Sequence, residues 1–305
     1  MPFNLEFYTV DAFTREAFSG NPAAVIILAP DGGDESSGAD DALSLQLAAE
    51  FNLSETAFAK SIAGGTDDEP HYELRWFTPT EEIPLCGHAT LATAQIIFAH
   101  HHPSAQAISF QSRTRGSLVA RRHASDGSIA LDFPASSLVT LSDGHKRRHK
   151  ILDKVRNVVD EAHVERIDWA DEIGGVVVEL SDSVDLKGLA FDPAVLSGLG
   201  SMVILTQPAP RDSQQDIFSR VFAPDIGVPE DPVTGAAHTA LAAFWLASPS
   251  LERLYDRETI GQTSTLRARQ VSARSGELVV RFDRAAKRVE LRGWAREMMH
   301  GEITL

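Results

Sequence analysis

The chain has 305 residues, of which 43% are hydrophobic and 23% charged, and its formal net charge is −15. This length and composition are typical of a globular protein with two compact domains rather than of a disordered chain. The excess of acidic side chains repels phosphate backbones and anionic lipid headgroups, so neither nucleic acid nor a membrane is an expected partner.

Cysteine usage and the first residues indicate the compartment. Cys86 is the single cysteine, so no disulfide can form within the chain and a reducing compartment is expected. The opening MPFNLEFYTVDAF alternates apolar and polar residues and has neither a basic region nor an apolar signal core. No stretch approaches the ~18 uninterrupted apolar residues that a membrane-spanning helix needs. These features predict a cytoplasmic protein.

Apolar and polar residues alternate in several short stretches, which is typical of β-strands. Residues 42–51 have helical spacing instead, after a polar, glycine-rich stretch at 31–41 that is expected to form a surface loop. From Thr90 to about Ala99 nearly every residue is apolar, which is typical of a helix inside a domain. The predicted strands, of which the first two form a hairpin, are 5–13, 23–28, 56–58, 72–77, 107–111, 115–122 and 128–133.

Two histidine-rich or basic stretches do not predict a binding site. His100, His101 and His102 are consecutive, so they spread around a helix instead of converging on a metal ion, and with Pro103 they are expected to end that helix. The basic run at 145–150 stands alone without interleaved aromatic residues. It is therefore interpreted as a solvated surface segment.

Common nucleotide and hydrolase motifs are absent from the sequence. Gly198 and Gly200 precede an apolar stretch at 202–205 instead of opening a helix, so they do not form a dinucleotide-binding fingerprint. The sequence contains no G-x-S-x-G, phosphate-loop or H-E-x-x-H pattern. Phosphoryl transfer and zinc-dependent hydrolysis are therefore not expected.

An internal repeat relates residues 73–86 to residues 218–231. Each copy predicts a strand, a proline-bearing turn and a glycine-containing segment that opens a buried helix, the second helix spanning 236–246. Four identical pairs share the offset of 145 positions, namely Arg75 with Arg220, Phe77 with Phe222, Pro79 with Pro224 and Pro84 with Pro229.

The repeat predicts two similar domains whose helix N-termini point into a shared cleft. Such helix ends carry unsatisfied N–H groups and the positive end of the helix dipole, which suits a substrate carboxylate. Cys86 and Asp231 occupy matching positions just before the two helices. Two proton-transfer groups that face one carbon are what an epimerase or a proton-shift isomerase requires.

Four ordered segments together carry a family signature. They are VDAFTREAFSGNPAAV (Val10–Val25), NLSETAF (Asn52–Phe58), FTPTEEIPLCGHATLATA (Phe77–Ala94) and EDPVTGAAH (Glu230–His238). With these segments the chain resembles the PhzF-like (phenazine biosynthesis-like) family, which is related to diaminopimelate epimerase.

The resemblance implies an α+β fold of two pseudo-symmetric domains, each a curved, barrel-like antiparallel β-sheet around a central helix. The expected domains are 1–125 with a C-terminal strand at 298–305, and 126–297, with the active-site cleft between them. Family members are typically homodimers that use no metal and no organic cofactor. The best-known member isomerises a dihydro-hydroxyanthranilate by shifting a proton along a conjugated system.

The resemblance also implies roles for individual residues. Glu55 corresponds to the acid/base of the family, and His88 and Asp231 to polar residues that assist substrate binding and proton relay. Together they are the expected catalytic residues. The expected substrate-binding residues are Asn21, Cys86, Gly87, Thr234, Gly235 and Ala236.

Each of these residues also has a purely structural interpretation. Glu55 fits a capping or surface carboxylate. His88, which the helix dipole is expected to keep neutral and able to donate one hydrogen bond, also fits a core histidine whose hydrogen bonds are satisfied. Cys86 fits a thiolate at a helix N-terminus as well as a small buried hydrophobe. Asp231 with Pro232 forms an ordinary turn sequence.

Two departures from the family pattern bear on the substrate. The serine of the family's TGSA is Ala236 here, which puts the identity of the substrate in doubt. Only Cys86 corresponds to one of the two catalytic cysteines of the epimerases, because Asp231 lies where the second would be.

The sequence therefore predicts an isomerase that moves a proton on a small carboxylic acid, by acid–base catalysis and in secondary-metabolite biosynthesis. One alternative is an amino-acid epimerase or racemase that uses Cys86 opposite Asp231. The other is a non-catalytic homologue that binds small molecules.

Overall fold

The computed structural model describes residues 4–29, 40–114, 116–246, 254 and 265–305. They form two compact units, one of Met1–Asp132 with Arg292–Leu305 and the other of Phe133–Leu291. The loop predicted at 31–41 lies almost entirely outside the described residues.

Most elements of the first unit are strands. In chain order they are β1 (Asn4–Ala12), β2 (Asn21–Leu28), α1 (Asp41–Phe51), β3 (Glu55–Ile62), β4 (His71–Phe77), β5 (Glu82–Ile83), α2 (Gly87–Ile96), β6 (Ala107–Ser112), β7 (Gly116–Arg122) and β8 (Ile129–Pro134). The strands and helices predicted here are confirmed with bounds that differ by a few residues, except that position 115 of the predicted strand 115–122 lies outside the described residues.

The remaining elements lead through the second unit to the C-terminus. They are β9 (Leu138–Thr140), α3 (Lys146–Val155), β10 (Val164–Ala170), β11 (Gly175–Leu180), β12 (Val203–Pro208), β13 (Ile217–Ala223), β14 (Val228–Asp231), α4 (Gly235–Leu246), β15 (Thr265–Gln270), β16 (Gly276–Asp283), β17 (Arg288–Gly293) and β18 (Ala295–Thr304).

The sheet of the first unit is mixed, so the expectation of an antiparallel sheet is wrong. β1 pairs antiparallel with β2, as the predicted hairpin requires, and β3 pairs antiparallel with β4. β2 with β3 and β4 with β6 are parallel pairs. The physical reason is the connection: α1 lies between β2 and β3, and α2 lies between β4 and β6, and a helical crossover returns the chain in the same direction.

The second unit has a mixed sheet for the same reason. β10 with β11, β12 with β13 and β15 with β16 are antiparallel. β11 with β12 and β13 with β15 are parallel. A short 3-10 helix, Pro193–Leu196, lies on the first of these parallel connections and α4 lies on the second.

Helix α2 forms the centre of the first unit. It contacts β1, β2, β3, β7 and β18, and its apolar residues Leu91 and Ile96 are fully buried. Contact on so many sides explains why its sequence has no polar face. The helix ends in a π-helical turn, Ile97–His101, which confirms the terminus predicted at the three histidines.

Helix α4 is buried to a similar extent in the second unit. It contacts β9, β15 and β16, and Phe244, Trp245 and Leu246 are fully buried. A separate apolar cluster joins α3, through Ile151 and Val155, to β11 and β12. The predicted buried helix at 236–246 is therefore confirmed.

The two copies of the sequence repeat form the same local contacts. Arg75 on β4 donates both Nε and Nη2 to Glu82, each at 2.8 Å. Arg220 on β13 donates Nε to Glu230 at 2.7 Å and Nη2 at 2.8 Å. Each guanidinium also lies over the phenylalanine two residues later, at 4.8 and 5.0 Å from the ring centroid. These bidentate pairs fix each strand to the short strand that precedes the buried helix.

The last strand closes the first unit. β18 pairs antiparallel with β1, with Leu5 opposite Ile303 and Ala12 opposite Ala295. The strand begins three residues before the C-terminal strand expected at 298–305. Among the described residues, none of the helices is both long and apolar enough to cross a bilayer.

Candidate active site

The parallel pairing of β2 and β3 places Glu55 beside the start of β2. Glu55 is the first residue of β3 and is opposite Ala23 in the register. Asn21 is the first residue of β2 and is completely buried. The two polar side chains therefore come from adjacent ends of neighbouring strands.

The N-terminus of α2 supplies the other predicted residues of the first unit. Cys86 is the N-cap, in extended conformation, and Gly87 and His88 open the helix. No side chain caps this helix end, whereas Asp40 caps α1 by accepting from the backbone of Leu43 at 2.7 Å. The first N–H groups of α2 are therefore not satisfied by a capping side chain.

Glu55 and His88 form the closest polar contact of the site. Oε2 of Glu55 lies 3.0 Å from Nε2 of His88, and the two side chains are 16% and 7% exposed. The contact does not have hydrogen-bond geometry, so Oε2 is buried without a hydrogen-bond partner among the described residues. A buried carboxylate oxygen with unused acceptor capacity is costly, and such groups are typical of functional sites.

Asn21 fixes the other side of the His88 ring. Its Nδ2 lies 3.2 Å from Nδ1 of His88, and because an amide nitrogen only donates, Nδ1 is the acceptor in this orientation. Ser54 donates from Oγ to Oδ1 of Asn21 at 3.4 Å. The neutral ring then carries its proton on Nε2, the nitrogen that faces Glu55.

Cys86 contacts the same imidazole. Its Sγ lies 3.4 Å from Nδ1 and 4.0 Å from Nε2 of His88. Burial raises the pKa of the Cys86 thiol, and the carboxylate of Glu55 raises it further. At neutral pH the residue is therefore a protonated thiol rather than a thiolate.

His88 is more easily protonated than an isolated histidine. Burial lowers its pKa, but the negative charges that Cys86 and Glu55 can carry outweigh burial and raise the pKa well above its usual value. Because Cys86 is a thiol at neutral pH, the carboxylate of Glu55 is the charge that acts there. Burial and the helix dipole therefore oppose protonation of His88, and the carboxylate of Glu55 favours it.

The same three side chains could also ligate a metal ion. One ligand atom from each of Glu55, Cys86 and His88 lies within 4.8 Å of the others. A zinc ion binds thiolate sulfur and imidazole nitrogen at about 2.0–2.3 Å, so the side chains would have to approach each other. Binding would also have to displace the proton of Cys86.

The predicted residues of the second unit form their own cluster before α4. Asp231 ends β14 and accepts from the hydroxyl of Thr234 through Oδ2. Gln270, at the end of β15, accepts from the backbone N–H of Thr234 at 2.9 Å and donates to the backbone oxygen of Asp231. These contacts hold the turn between strand and helix.

The first turn of α4 has an open position. Gly235 is buried and Ala236 is exposed. His238, one turn further, donates from Nδ1 to the backbone oxygen of Thr234 at 2.7 Å. Burial lowers the pKa of His238 to about 4, so this histidine is neutral at neutral pH.

The structure thus brings Asn21, Glu55, Cys86 and His88 together in one unit, and places Asp231, Thr234, Gly235 and Ala236 around one turn of the other. Sequence reasoning missed Gln270, which holds that turn and is completely buried. The sequence does contain a pattern that indicates this residue: Gln270 follows Leu266 and Ala268 at every second position, so it lies on the same buried face of β15. A polar residue on an apolar strand face indicates a specific hydrogen-bonding role.

Comparison with known proteins gives relatives over almost the whole chain. A phenazine biosynthesis-like domain-containing protein of Rattus norvegicus is 36% identical over 313 residues, which cover 98% of this chain and 99% of the relative. An uncharacterized isomerase of Halalkalibacterium halodurans is 34% identical over 299 residues, which cover 98% of each chain.

A solved structure has the same fold. The crystal structure of a phenazine biosynthesis protein of the PhzF family from Enterococcus faecalis has a TM-score of 0.78 and 31% identity, with 99% of this chain and 100% of that chain covered. The family model of phenazine biosynthesis-like proteins matches residues 10–301. The chain therefore belongs to the phenazine biosynthesis-like (PhzF) protein family.

Proposed function

We propose that this protein is an isomerase that moves a proton on a small carboxylic acid by acid–base catalysis, without a metal or organic cofactor, in a biosynthetic pathway. A relative named as an isomerase, aligned over nearly the full length, supports the reaction class. The polar cluster around Glu55 supports the mechanism.

The observation that carries the proposal is the buried contact between Oε2 of Glu55 and Nε2 of His88, 3.0 Å apart without an aligned hydrogen bond. A carboxylate that only stabilised the fold would be expected to have its oxygens satisfied. Here one oxygen retains a free acceptor position beside a protonatable imidazole. That is the arrangement of a general base whose proton comes from a substrate.

In the proposed reaction Glu55 removes a proton from a carbon of the substrate. The C–H electron pair enters the conjugated system of the substrate as that bond breaks. The carboxylic acid of Glu55 then returns the proton to a second carbon, and a new C–H bond forms. His88 donates a hydrogen bond from Nε2 and stabilises the negative charge that develops meanwhile.

The substrate carboxylate is proposed to bind at helix N-termini. The uncapped start of α2 offers the N–H groups of Gly87 and His88, and the start of α4 offers those of Gly235 and Ala236. Asn21 and Cys86 complete the proposed pocket through their contacts with His88. Helix dipoles favour anions at these ends.

We also propose that the two units are pseudo-symmetric domains with the active-site cleft between them. Supporting this proposal, each unit combines parallel and antiparallel pairs in the same order, and each has an arginine–glutamate pair ahead of a buried helix. Asp231, held by Thr234, would then act as the second catalytic carboxylate. A cytoplasmic homodimer is proposed from the single cysteine and the family, and light scattering of the purified protein tests the dimer.

The experiment that tests the function is solvent-deuterium exchange in D₂O over a panel of small carboxylic acids. Wild type should incorporate deuterium at a carbon-bound position of at least one acid, and Glu55→Gln should lower that rate by about 10²–10⁴-fold. Glu50→Gln, at an exposed glutamate of α1, is the matched control and should exchange like wild type. If Glu55→Gln and wild type exchange equally, the assignment of Glu55 is wrong.

The same experiment separates the alternatives. Racemisation at a single stereocentre would indicate an epimerase that uses Cys86 opposite Asp231. Binding of an acid, seen as thermal stabilisation, without any exchange would indicate a non-catalytic binding protein. Relocation of an allylic or ring proton is the result expected of the proposed isomerase.

A further inference from the structure

Two sequence features that the proposed function does not use meet at one hollow of the second unit. The basic run lies in the first turns of α3, and Gly198-Leu199-Gly200 lies just before β12. Together with Trp169 on β10 they surround a cavity of about 400 Å³. Cavities of this size accommodate small organic ligands.

The rim of the cavity carries three cations. Lys146, Arg147 and Lys150 are exposed residues of α3 that line it. Lys150 donates from Nζ to the backbone oxygen of Gly198 at 2.7 Å, and the guanidinium of Arg147 lies 3.9 Å from the ring centroid of Trp169. Both are held in place by neutral partners.

The three cations of this rim have no carboxylate partner among the described residues, although Asp225 accepts from the backbone N–H of Gly198 at 2.7 Å. Within the part of the chain that the structure describes, no carboxylate forms an ion pair with Lys146, Arg147 or Lys150, whereas Arg148 between them pairs with Asp143 at 3.2 Å. No acidic side chain lines the cavity. In a chain of net charge −15, this concentration of unpaired positive charge favours an anionic ligand.

The floor of the cavity is apolar and shaped by glycine. Ile151 and Leu199 are 0% and 5% exposed, and the half-buried Trp169 forms one wall. A Cβ on Gly200 would lie 2.5 Å from the backbone oxygen of Gly174 and 3.0 Å from the Trp169 ring, and the φ of +135° at that residue strains any other amino acid. The glycine thus permits the close packing of this wall of the cavity.

We propose that this cavity binds a nucleotide-like anion, with the phosphates at the cationic rim and the flat ring beside Leu199 and the Arg147 guanidinium that lies over Trp169. An apolar floor beside a cationic rim matches a ligand that has both parts, and a purely inorganic anion would leave the floor uncovered. The inference does not rest on the proposed function, because no residue of the Glu55 cluster takes part in it.

The test is calorimetric titration of the full-length protein with ADP and, separately, with inorganic pyrophosphate at low ionic strength. ADP should bind saturably, and pyrophosphate at least about tenfold more weakly because it cannot cover the apolar floor. Lys146→Gln/Lys150→Gln should weaken ADP binding at least about tenfold. Arg281→Gln/Arg284→Gln removes the same charge from exposed positions of the same unit and should bind ADP like wild type.

Three outcomes would overturn the proposal. One is no saturable binding of ADP up to about 5 mM, which is too weak for a specific site. Another is an equal loss in the arginine control, which would indicate a general charge effect. The third is pyrophosphate binding as tightly as ADP, which would exclude the ring contact. The melting temperatures of both double variants should equal that of wild type, which shows that a loss of ADP binding does not come from unfolding.

Discussion

The carboxylate of Glu55 and the imidazole of His88 approach to 3.0 Å without forming an aligned hydrogen bond. One side chain begins a strand and the other opens a helix, so the contact depends on how β3 and α2 pack. Glu55 raises the proton affinity of His88 and still has an oxygen free for another donor. A substrate proton is the donor that the proposed reaction would supply.

The first prediction concerns stability and pH. The raised pKa of His88 means that the imidazole binds its second ring proton more tightly in the folded state than in the unfolded state. In the unfolded state a histidine has a pKa of about 6.5. His88 therefore stabilises the fold fully below that pH, and the contribution is lost as pH rises through the raised pKa. The difference in unfolding free energy between wild type and His88→Gln should shrink from pH 5.5 to pH 9.

Urea denaturation at several pH values measures this difference. His149→Gln, at an exposed histidine of α3, serves as the control and should show no such trend. In the Glu55→Gln background the trend should weaken, because the carboxylate that raises the pKa is gone. A difference that grows with pH would show that His88 is neutral in the folded protein.

Cys86 provides the second prediction. Since burial and Glu55 raise the pKa of its thiol, the proposed isomerase does not use it as a base. Cys86→Ala should therefore keep deuterium exchange within about tenfold of wild type, whereas loss of an acid/base group costs about 10²–10⁴-fold. Cys86→Ser, which keeps a hydrogen-bonding group beside His88, should be less affected than Cys86→Ala. A loss as large as that of Glu55→Gln would favour the epimerase.

Two buried threonines allow a matched pair of variants. Oγ1 of Thr90 accepts from Nε1 of Trp76 at 3.1 Å and donates to the backbone oxygen of Cys86 at 2.6 Å. Oγ1 of Thr206 accepts from Nε1 of Trp245 at 3.1 Å and donates to the backbone oxygen of Phe218 at 2.9 Å. Both hydroxyls therefore satisfy a buried indole.

Thr90→Val and Thr206→Val should each lower the free energy of unfolding by about 1–3 kcal/mol, because each leaves an indole N–H without an acceptor. Urea denaturation measures this loss. Only Thr90→Val should also slow deuterium exchange, because Thr90 donates to the backbone carbonyl of Cys86, which occupies the N-cap position of α2 beside His88. Equal loss of exchange in both variants would show that it follows from stability alone.

Local pattern was sufficient to predict most elements of this fold. β1 and β2 follow from alternation and a turn sequence, and α2 and α4 from runs that are apolar on every side. The parallel pairs were not predictable in this way, because an apolar strand has the same pattern in either direction. Their direction is set by the crossovers through α1 and α2.

The site was predictable only in part. Motifs identified Glu55 and His88, but their contact depends on the register that places Glu55 opposite Ala23. For the same reason the pKa of His88 could not be predicted, because the sequence shows the helix end and not the carboxylate that lies beside the ring. Gln270 was missed because its partners lie 36 and 39 positions away.

Substitutions at Ala236 test whether the missing serine of the family pattern affects substrate binding. Its side chain is exposed at the first turn of α4, so the hydroxyl of Ala236→Ser enters open space and should change the free energy of unfolding by less than about 0.5 kcal/mol. If α4 binds the substrate carboxylate as proposed, the added donor should lower KM for exchange by about three- to tenfold, with little change in kcat. Ala236→Val, which enlarges the side chain without adding a donor, should not lower KM. A KM that is the same in all three proteins would place the carboxylate away from α4, because a hydroxyl at this position could not then reach it.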